Sequence, residues 1–348
     1  MGLRMKAAVL EKLGSPLVIK DVSVPVLDYG QVLVRVYCST ICGAQLREIS
    51  GAKGEDKYLP HLLGHEGGGV VEEVGPGVQY MKKGDHVVLH WRKGRGIECR
   101  PPVYSCDATA IGGGWVTTFN EYAVVSENRV TTIDSAIPFS IASLLGCAVT
   151  TALGLINNEA KLKIGESIAV AGCGGVGLNV VQGSSLVAGY PIIAIDCLSE
   201  KLSLAYSFGA THTINSSNAG IVESIKQIVG SCGVDVFVDC TGNAEVIEAG
   251  YRSLNVNGRL ILVGQPSAGV ALHFSDAHRY CYSGKIMMDS QGGLTNPTID
   301  IPKYVGLYLG GKLDLSRVIT HRYSLDEVNT AIDVVRSGVA GRVALEMC

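Results

Sequence analysis

Two cysteines and one histidine in the first half of the chain form a candidate metal site. The histidine stands in Gly64-His65-Glu66, with Cys42 upstream and Cys147 downstream. Thiolate sulfur and imidazole nitrogen are common zinc ligands; three protein ligands leave a fourth position open for chemistry, whereas four close the site. Each cysteine alone is more simply explained as a small buried apolar side chain. The prediction of a catalytic metal site therefore rests on the three residues together.

A glycine-rich turn follows this candidate site along the chain. Its glycines lie between an apolar, strand-like run and a helix-like run, which is the context that a dinucleotide-binding turn requires. The first glycine allows a tight turn, the second lets the backbone approach a pyrophosphate, and the third allows close helix packing. The N-terminus of the helix then offers unpaired N–H groups to the phosphates. We expect a dinucleotide to bind at Gly172, Gly174, Gly175, Val176 and Gly177; a structural turn without a ligand is the alternative.

Two further residues indicate which dinucleotide binds. Asp196 ends the next predicted strand, where a carboxylate accepts hydrogen bonds from the adenosine ribose and repels a 2′-phosphate. The sequence therefore favours NAD over NADP. Lys201 can hydrogen-bond the same ribose, so the strictness of that preference stays open. An open metal site together with a dinucleotide predicts hydride transfer to or from an oxygen-bearing carbon.

The pattern of secondary structure changes along the chain. Residues 1–150 contain short β-branched runs separated by Gly and Pro, which predict a mainly antiparallel, partly barrel-like catalytic domain. In residues 151–290 apolar strands alternate with helices, which predicts an α/β domain with a doubly wound parallel sheet covered on both faces. Residues 291–348 contain a capping box at Ser324 and a last strand over 341–346. We expect this tail to return to the first domain, so that the sheet domain is an insertion.

Composition excludes several classes of protein. The chain has 348 residues, 47% of them hydrophobic and 18% charged, and a net charge of −3, which indicates two well-filled domains. The densest basic cluster, Arg92-Lys93-Gly94-Arg95, is interpreted as a solvated loop and not as a nucleic-acid patch. No apolar run approaches the roughly 18 residues that span a bilayer. With no signal peptide and an odd number of scattered cysteines, eleven, the sequence predicts a cytoplasmic protein with a small-molecule substrate.

The chain resembles the zinc-dependent medium-chain alcohol dehydrogenases over nearly its whole length. The resemblance implies a GroES-like catalytic domain that carries an inserted Rossmann domain. It also implies that Cys42, His65 and Cys147 bind the catalytic zinc, and that Glu66 lies beside the metal and can exchange onto it. The matching segments are Thr40-Ile41-Cys42-Gly43, Leu63-Gly64-His65-Glu66-Gly67-Gly68-Gly69-Val70-Val71, Gly84-Asp85-His86-Val87 and Leu145-Gly146-Cys147-Ala148-Val149-Thr150-Thr151.

The same resemblance implies roles for four more residues. Thr151 would lie against the nicotinamide, Val263 would contact its carboxamide, and Arg342 would reach the pyrophosphate. Trp91 would line the substrate pocket, with an ordinary core aromatic as the alternative. The family also implies a homodimer or homotetramer assembled through the sheet domain.

The chain departs from the family pattern in two places. Where many members hold a structural zinc with four cysteines, residues 89–106 contain only Cys99 and Cys106. Two thiolates are too few for a closed site, so we expect one catalytic zinc per chain, no structural zinc, and two free thiols. Where the family has a proton-relaying Ser or Thr in the substrate pocket, this chain has Ala44. The next position, commonly an aspartate that orients the zinc-bound histidine, is Gln45, whose amide oxygen is expected to accept from the imidazole.

The sequence thus predicts a zinc-dependent NAD(H) oxidoreductase that interconverts a primary or secondary alcohol and its aldehyde or ketone. Because Ala44 carries no proton, a polyol, aminocyclitol or sugar-type alcohol with a neighbouring hydroxyl is the alternative substrate. Two further alternatives are a zinc-free alkene or quinone reductase and a non-catalytic NAD-binding protein. Metal content distinguishes the first of these, and cofactor reduction the second.

Overall fold

The computed structural model describes residues 2–274 and 281–347. It divides into two compact units: the first comprises Met1–Thr150 and Asn296–Cys348, and the second comprises Thr151–Thr295. The second unit is therefore inserted in the chain of the first.

Eighteen strands are present in the part of the chain that the structure describes. They are β1 (Arg4–Leu10), β2 (Val18–Ser23), β3 (Gln31–Ile41), β4 (His61–Leu62), β5 (Glu66–Val74), β6 (His86–His90), β7 (Val103–Cys106), β8 (Thr109–Gly112), β9 (Tyr122–Ser126), β10 (Val130–Thr132), β11 (Ile168–Ala171), β12 (Ile192–Asp196), β13 (His212–Asn215), β14 (Val234–Asp239), β15 (Leu254–Leu262), β16 (Ile286–Asp289), β17 (Ile319–Ser324) and β18 (Arg342–Glu346).

Nine α-helices connect these strands within the described ranges. They are α1 (Gly43–Ile49), α2 (Phe139–Leu145), α3 (Ala148–Gly154), α4 (Gly175–Leu186), α5 (Ser199–Ser207), α6 (Ile221–Val229), α7 (Ala244–Ser253), α8 (Pro297–Leu309) and α9 (Val328–Arg336). The capping box predicted at Ser324 is present: its side chain pairs with Glu327, which opens a short 3₁₀ turn before α9. Among the described residues no single helix can cross a membrane, and only one bent pair, Phe139–Leu145 with Ala148–Ala160, has the length and composition when taken together.

The first unit combines a closed barrel with a larger sheet, which confirms the predicted partly barrel-like architecture. The barrel order is β1-β2-β7-β8-β4, and the sheet order is β10-β6-β5-β3-β18-β17, with β9 also paired to β3. Most neighbouring strands are antiparallel, and β3 is the central strand because β5, β9 and β18 all pair with it. Its side chains are nearly all buried, as a strand with covered faces requires. The ends of β3, β5 and β18 therefore lie side by side.

The second unit is a six-stranded parallel sheet with the order β13-β12-β11-β14-β15-β16. The first strand of this unit, β11, lies in the middle, and the order reverses around it, which is the doubly wound arrangement. β11 and β12 are wholly buried and apolar up to Asp196, as strands covered on both faces must be. In register, Ala171 lies opposite both Ile195 and Asp239, so the carboxyl ends of β11, β12 and β14 form one edge. The predicted α/β fold class is confirmed.

Candidate metal centre and dinucleotide turn

The first unit brings Cys42, His65 and Cys147 together. Cys42 follows β3 and precedes α1, His65 directly precedes β5, and Cys147 lies between α2 and α3. Their ligand atoms all lie within 4.8 Å of one another. Among the described residues this is the one group of three or more histidine, cysteine or acidic side chains close enough to hold a metal ion.

A glycine allows the sharp turn that presents His65. Gly64 has a φ of +89°, a left-handed conformation that side chains disfavour, and a Cβ placed there would lie 2.4 Å from the hydroxyl oxygen of Thr118. The chain therefore turns tightly just before His65 and β5. A larger residue at position 64 would displace both.

The atoms of this group suit a divalent metal. Nδ1 of His65 contacts Gln45, whereas Nε2 is buried without a hydrogen-bond partner, which is costly unless a ligand uses it. A hydrogen bond from the thiol of Cys147, together with the charge of Arg342, holds the pKa of Cys42 well below its usual range. The same hydrogen bond raises the pKa of Cys147. Two cysteine sulfur atoms and an imidazole nitrogen without a hydrogen-bond partner, all within one cluster, fit the predicted zinc.

The contact between Gln45 and His65 differs from the expected one. The amide oxygen of Gln45 accepts from the backbone N–H of Cys42 at 2.9 Å and closes a capping box at the start of α1. Its NH₂ group therefore faces Nδ1 of His65 at 2.5 Å. The expectation that the amide oxygen accepts from the imidazole is wrong here, because the helix cap already uses that oxygen.

A buried ion pair lies beside the cluster. Glu66 and Arg342 are 0% and 5% exposed, and the guanidinium donates to the carboxylate. Burial raises the pKa of Glu66, and Arg342 opposes that shift. The partners are far apart in the chain and meet because β5 and β18 both pair with β3. Nothing in the local sequence around Glu66 indicated this pairing, and the predicted contact of Arg342 with a pyrophosphate stays a prediction.

The side chains around the predicted substrate position offer few proton carriers. Ala44 lies half-buried in the first turn of α1, and Trp91 is half-buried after β6. His90 is buried, with Nδ1 bonded to the carbonyl of Arg92 at 2.7 Å and Nε2 to the hydroxyl of Thr131 at 2.9 Å. Burial lowers the pKa of His90 to about 4. A neutral imidazole with both nitrogens engaged is a structural group and a poor relay.

The glycine turn of the second unit has the local geometry that the motif predicts. Gly174 precedes α4, and a Cβ there would meet nothing within 4 Å, so its outer face is open. A Cβ at Gly177 would lie 2.0 Å from the carbonyl oxygen of Gly172. The third glycine thus lets α4 pack against the turn, while the second leaves room for a ligand. Gly175 and Val176 form the first turn of α4.

Asp196 lies at the carboxyl end of β12, where a ribose-binding carboxylate is expected. It is 9% exposed, and its Oδ2 accepts from the backbone N–H of Cys173 at 2.8 Å, within the glycine turn. Lys201 is half-buried on α5, Thr151 is buried on α3, and Val263 follows β15. All four belong to the second unit, as the glycine turn does.

Asp239, at the carboxyl end of the neighbouring strand β14, was not among the predicted site residues. Its side chain accepts from the N–H and hydroxyl of Thr241 and from the N–H of Gly242. Burial raises the pKa of this carboxyl group. The sequence contains a sign of this residue, because Asp239 ends an apolar strand just as Asp196 does.

A buried carboxylate joins the lobe of residues 89–106 to the segment that precedes β6. Glu127 is fully buried and accepts from the backbone N–H groups of Gln79, Tyr80 and Ile97 at 2.6–2.9 Å. Cys99 contacts the carbonyl of Tyr29. The predicted lack of a structural zinc stays a prediction; Glu127 anchors the lobe at Ile97.

Comparison with known proteins matches both units to one family. Residues 28–135 match the family model described as alcohol dehydrogenase GroES-like domain, and residues 175–293 match zinc-binding dehydrogenase. The chain is 32% identical to the S-(hydroxymethyl)glutathione dehydrogenase of Paracoccus denitrificans, over 97% of this chain and 98% of that protein. It is 33% identical to an alcohol dehydrogenase class-3 of Cereibacter sphaeroides, with the same coverage.

Solved structures show the same fold. A zinc-binding alcohol dehydrogenase domain protein from Burkholderia ambifaria has a TM-score of 0.90 and 29% identity, with 99% of each chain covered. Benzyl alcohol dehydrogenase from Acinetobacter calcoaceticus has a TM-score of 0.89 and 26% identity, with 99% of this chain and 100% of that chain covered. The similarity therefore extends over the whole length of both units.

Proposed function

Because the chain belongs to the zinc-dependent medium-chain alcohol dehydrogenase family, we propose that it oxidises a primary or secondary alcohol, or reduces the corresponding aldehyde or ketone, with NAD(H). The observation that carries the proposal is the cluster of Cys42, His65 and Cys147, with ligand atoms within 4.8 Å and an orphaned Nε2. A three-ligand set leaves a position open for a substrate oxygen. Zinc held there supplies Lewis-acid chemistry that favours the alkoxide form of an alcohol or polarises a carbonyl.

In this proposal the side chains of the cluster bind the metal, and a neighbouring ion pair adds one charge of each sign. The two cysteines supply sulfur ligands and His65 supplies Nε2, while the ion pair of Glu66 and Arg342 places one negative and one positive group beside them. A buried carboxylate without its guanidinium would be costly. We propose that Arg342 keeps Glu66 charged and in place, and that a pyrophosphate contact is its second role.

We propose that NAD binds the second unit. The open face at Gly174 and the N-terminus of α4 accept the pyrophosphate, and Asp196 accepts from the ribose hydroxyls. Thr151 and Val263 are the proposed contacts of the nicotinamide, and Lys201 is a further partner for the ribose. The carboxylate of Asp196 disfavours a 2′-phosphate, which supports NAD over NADP.

The alcohol proton has no hydroxyl carrier at position 44. Ala44 offers no donor or acceptor, and His90 has both nitrogens engaged. A water molecule or Glu66 is then left to accept the proton, or else a second hydroxyl of the substrate. This favours polyols, aminocyclitols and sugar-type alcohols as the second candidate substrate class.

An alcohol panel with NAD tests the proposal. It contains a short primary alcohol, benzyl alcohol, S-(hydroxymethyl)glutathione (the substrate that the names of several relatives give) and a cyclic polyol, and the readout is NADH absorbance. Reduction of NAD by at least one of them supports the proposal. No reduction by metal-loaded protein that binds NAD would favour a non-catalytic NAD-binding protein. Turnover of an activated alkene by protein without zinc would favour the zinc-free reductase.

We also propose that the chain forms a homodimer or homotetramer through the second unit. β16 lies at one end of the parallel sheet, and its Ile286 and Met287 are 48% and 40% exposed. Exposed apolar side chains on a sheet-edge strand favour pairing with another copy. Light scattering tests this: Met287→Lys should shift the mass towards the monomer, and an unchanged mass would contradict an interface at β16.

A further inference from the structure

We infer that the hydroxyl groups of Ser39 and Thr118 position the turn that carries His65, and thereby set the affinity and geometry of the metal site. The inference rests on the proposed function, because it takes the cluster of Cys42, His65 and Cys147 as a metal site. Both residues are 0% exposed, and neither belongs to that cluster.

The two hydroxyl groups meet at one backbone carbonyl. Ser39 Oγ lies 2.9 Å and Thr118 Oγ1 lies 3.1 Å from the carbonyl oxygen of Glu66, and the two hydroxyl oxygens lie 2.7 Å apart. Two hydroxyl protons are available for these three contacts, so when one hydroxyl donates to the other, the second donates to the carbonyl of Glu66. The three oxygen atoms, Ser39 Oγ, Thr118 Oγ1 and the carbonyl oxygen of Glu66, form a buried triangle.

Thr118 also holds the other side of the same turn. Its backbone N–H donates to the carbonyl oxygen of Leu63 at 2.9 Å. The turn from Leu63 to Glu66 is therefore bonded at both ends to one residue. The space is shaped for this side chain, because a Cβ at Gly64 would lie 2.4 Å from Thr118 Oγ1 and one at Gly67 would lie 3.0 Å from its methyl group.

Ser39 connects this turn to β3, the strand that leads into Cys42. It lies on β3 opposite Gly67, three residues before Cys42. The triangle therefore joins the strand that leads into Cys42, the turn that bears His65, and the loop that bears Thr118. Groups that fix the orientation of metal ligands commonly change metal affinity 10–100-fold when they are removed. We expect that range for the loss of the triangle.

Thr118→Val tests the inference, because valine keeps the shape and removes the hydroxyl. Thr118→Ser is the matched control, since it keeps the hydroxyl and removes the methyl group. We expect Thr118→Val, and Thr118→Val with Ser39→Ala, to bind zinc roughly 10–100-fold more weakly in competition with a chromophoric chelator. Thr118→Ser should restore an affinity near that of the wild type. With cobalt in place of zinc, the d–d absorption of Thr118→Val should shift, and that of Thr118→Ser should not.

The metal-free proteins are compared by thermal unfolding to separate positioning from folding. A Thr118→Val protein with a lower melting temperature but the zinc affinity and cobalt spectrum of the wild type would show a structural role only and would overturn the inference. Equal weakening in Thr118→Ser and Thr118→Val would overturn it too, because the hydroxyl would not be responsible. If wild-type protein binds neither zinc nor cobalt, the proposed metal site itself fails, and this inference fails with it.

Discussion

The side-chain nitrogen of Gln45 lies 2.5 Å from Nδ1 of His65, while the oxygen of the same amide accepts from the backbone N–H of Cys42 at 2.9 Å. The amide thus offers the imidazole a donor. A metal on Nε2 requires the ring proton on Nδ1, which would then face the NH₂ group. Either the amide rotates and gives up the helix cap, or the site binds metal with this contact unfavourable. The orientation of the Gln45 amide is therefore coupled to metal binding at His65.

Gln45→Glu should tighten zinc binding roughly tenfold. A carboxylate of the same length has two acceptor oxygens, one for the N–H of Cys42 and one for the Nδ1–H of His65. The measurement is zinc affinity by competition with a chromophoric chelator. Ser50→Glu, which adds the same charge at an exposed position just after α1, should change the affinity little. Equal or weaker binding by Gln45→Glu would contradict this account of the contact.

The variants Gly174→Ala and Gly177→Ala should lose different properties. Gly177→Ala should lose stability, and Gly174→Ala should lose NAD affinity. A Cβ at position 177 would lie 2.0 Å from a backbone oxygen, so the turn must shift and the melting temperature should fall by several degrees. A Cβ at position 174 meets nothing within 4 Å, so that variant should fold normally and lose NAD affinity because the methyl group occupies the pyrophosphate position. Calorimetry measures both quantities. Unchanged NAD affinity in folded Gly174→Ala would place the pyrophosphate elsewhere.

His90 should make the free energy of unfolding depend on pH. Its folded-state pKa, about 4, lies below the ordinary value of 6.5, because burial disfavours the charged ring and Arg129 adds to the effect. The unfolded chain therefore binds the proton more readily between those values, and stability falls as pH falls through that window, by about 3 kcal/mol in total.

The pH effect is measured by urea unfolding at pH 4.5 to 7. His90→Asn keeps a donor towards the carbonyl of Arg92 but has no titrating group, so its unfolding free energy should fall less steeply with acid than that of the wild type. The relevant quantity is the difference in slope, since other groups titrate in both proteins. Identical slopes would show that His90 is already charged or exposed in the folded state.

Glu127→Gln should destabilise the first unit by about 2 kcal/mol, because the new NH₂ group faces a backbone N–H that the carboxylate oxygen had accepted from. Glu346→Gln is the matched control: it removes a carboxylate from an exposed pair with Arg322, and should cost less than about 1 kcal/mol. Urea unfolding of metal-free protein compares the two. Equal effects would mean that Glu127 does not hold the lobe.

The parts of the fold that depend on local pattern were predictable. The alternation of apolar strands with helices predicted the parallel sheet, and the glycine spacing predicted a turn that only small residues can form, as the contact of Gly177 with Gly172 shows. The capping box at Ser324 was visible because its two partners are three residues apart.

The contacts that the sequence could not show join distant residues. Arg342 reaches Glu66 only because β3 lies between their strands, and Ser39 and Thr118 meet at a carbonyl that the sequence does not mark. The orientation of the Gln45 amide was mispredicted because two donors, the backbone N–H of Cys42 and the imidazole of His65, compete for its one amide oxygen. Periodicity and motif spacing carry no information about such pairings.

The zinc content of purified protein tests the central claim most directly. Wild type, Cys42→Ser and Cys147→Ser are prepared without chelator or affinity metal, with Cys38→Ala, a buried cysteine outside the cluster, as the control. Elemental analysis should find one zinc per chain in the wild type and the control, and essentially none in the two serine variants, with NAD binding retained in all four. No zinc in folded, NAD-binding wild type, or the same zinc content in the serine variants as in the wild type, would contradict a catalytic metal site at Cys42, His65 and Cys147.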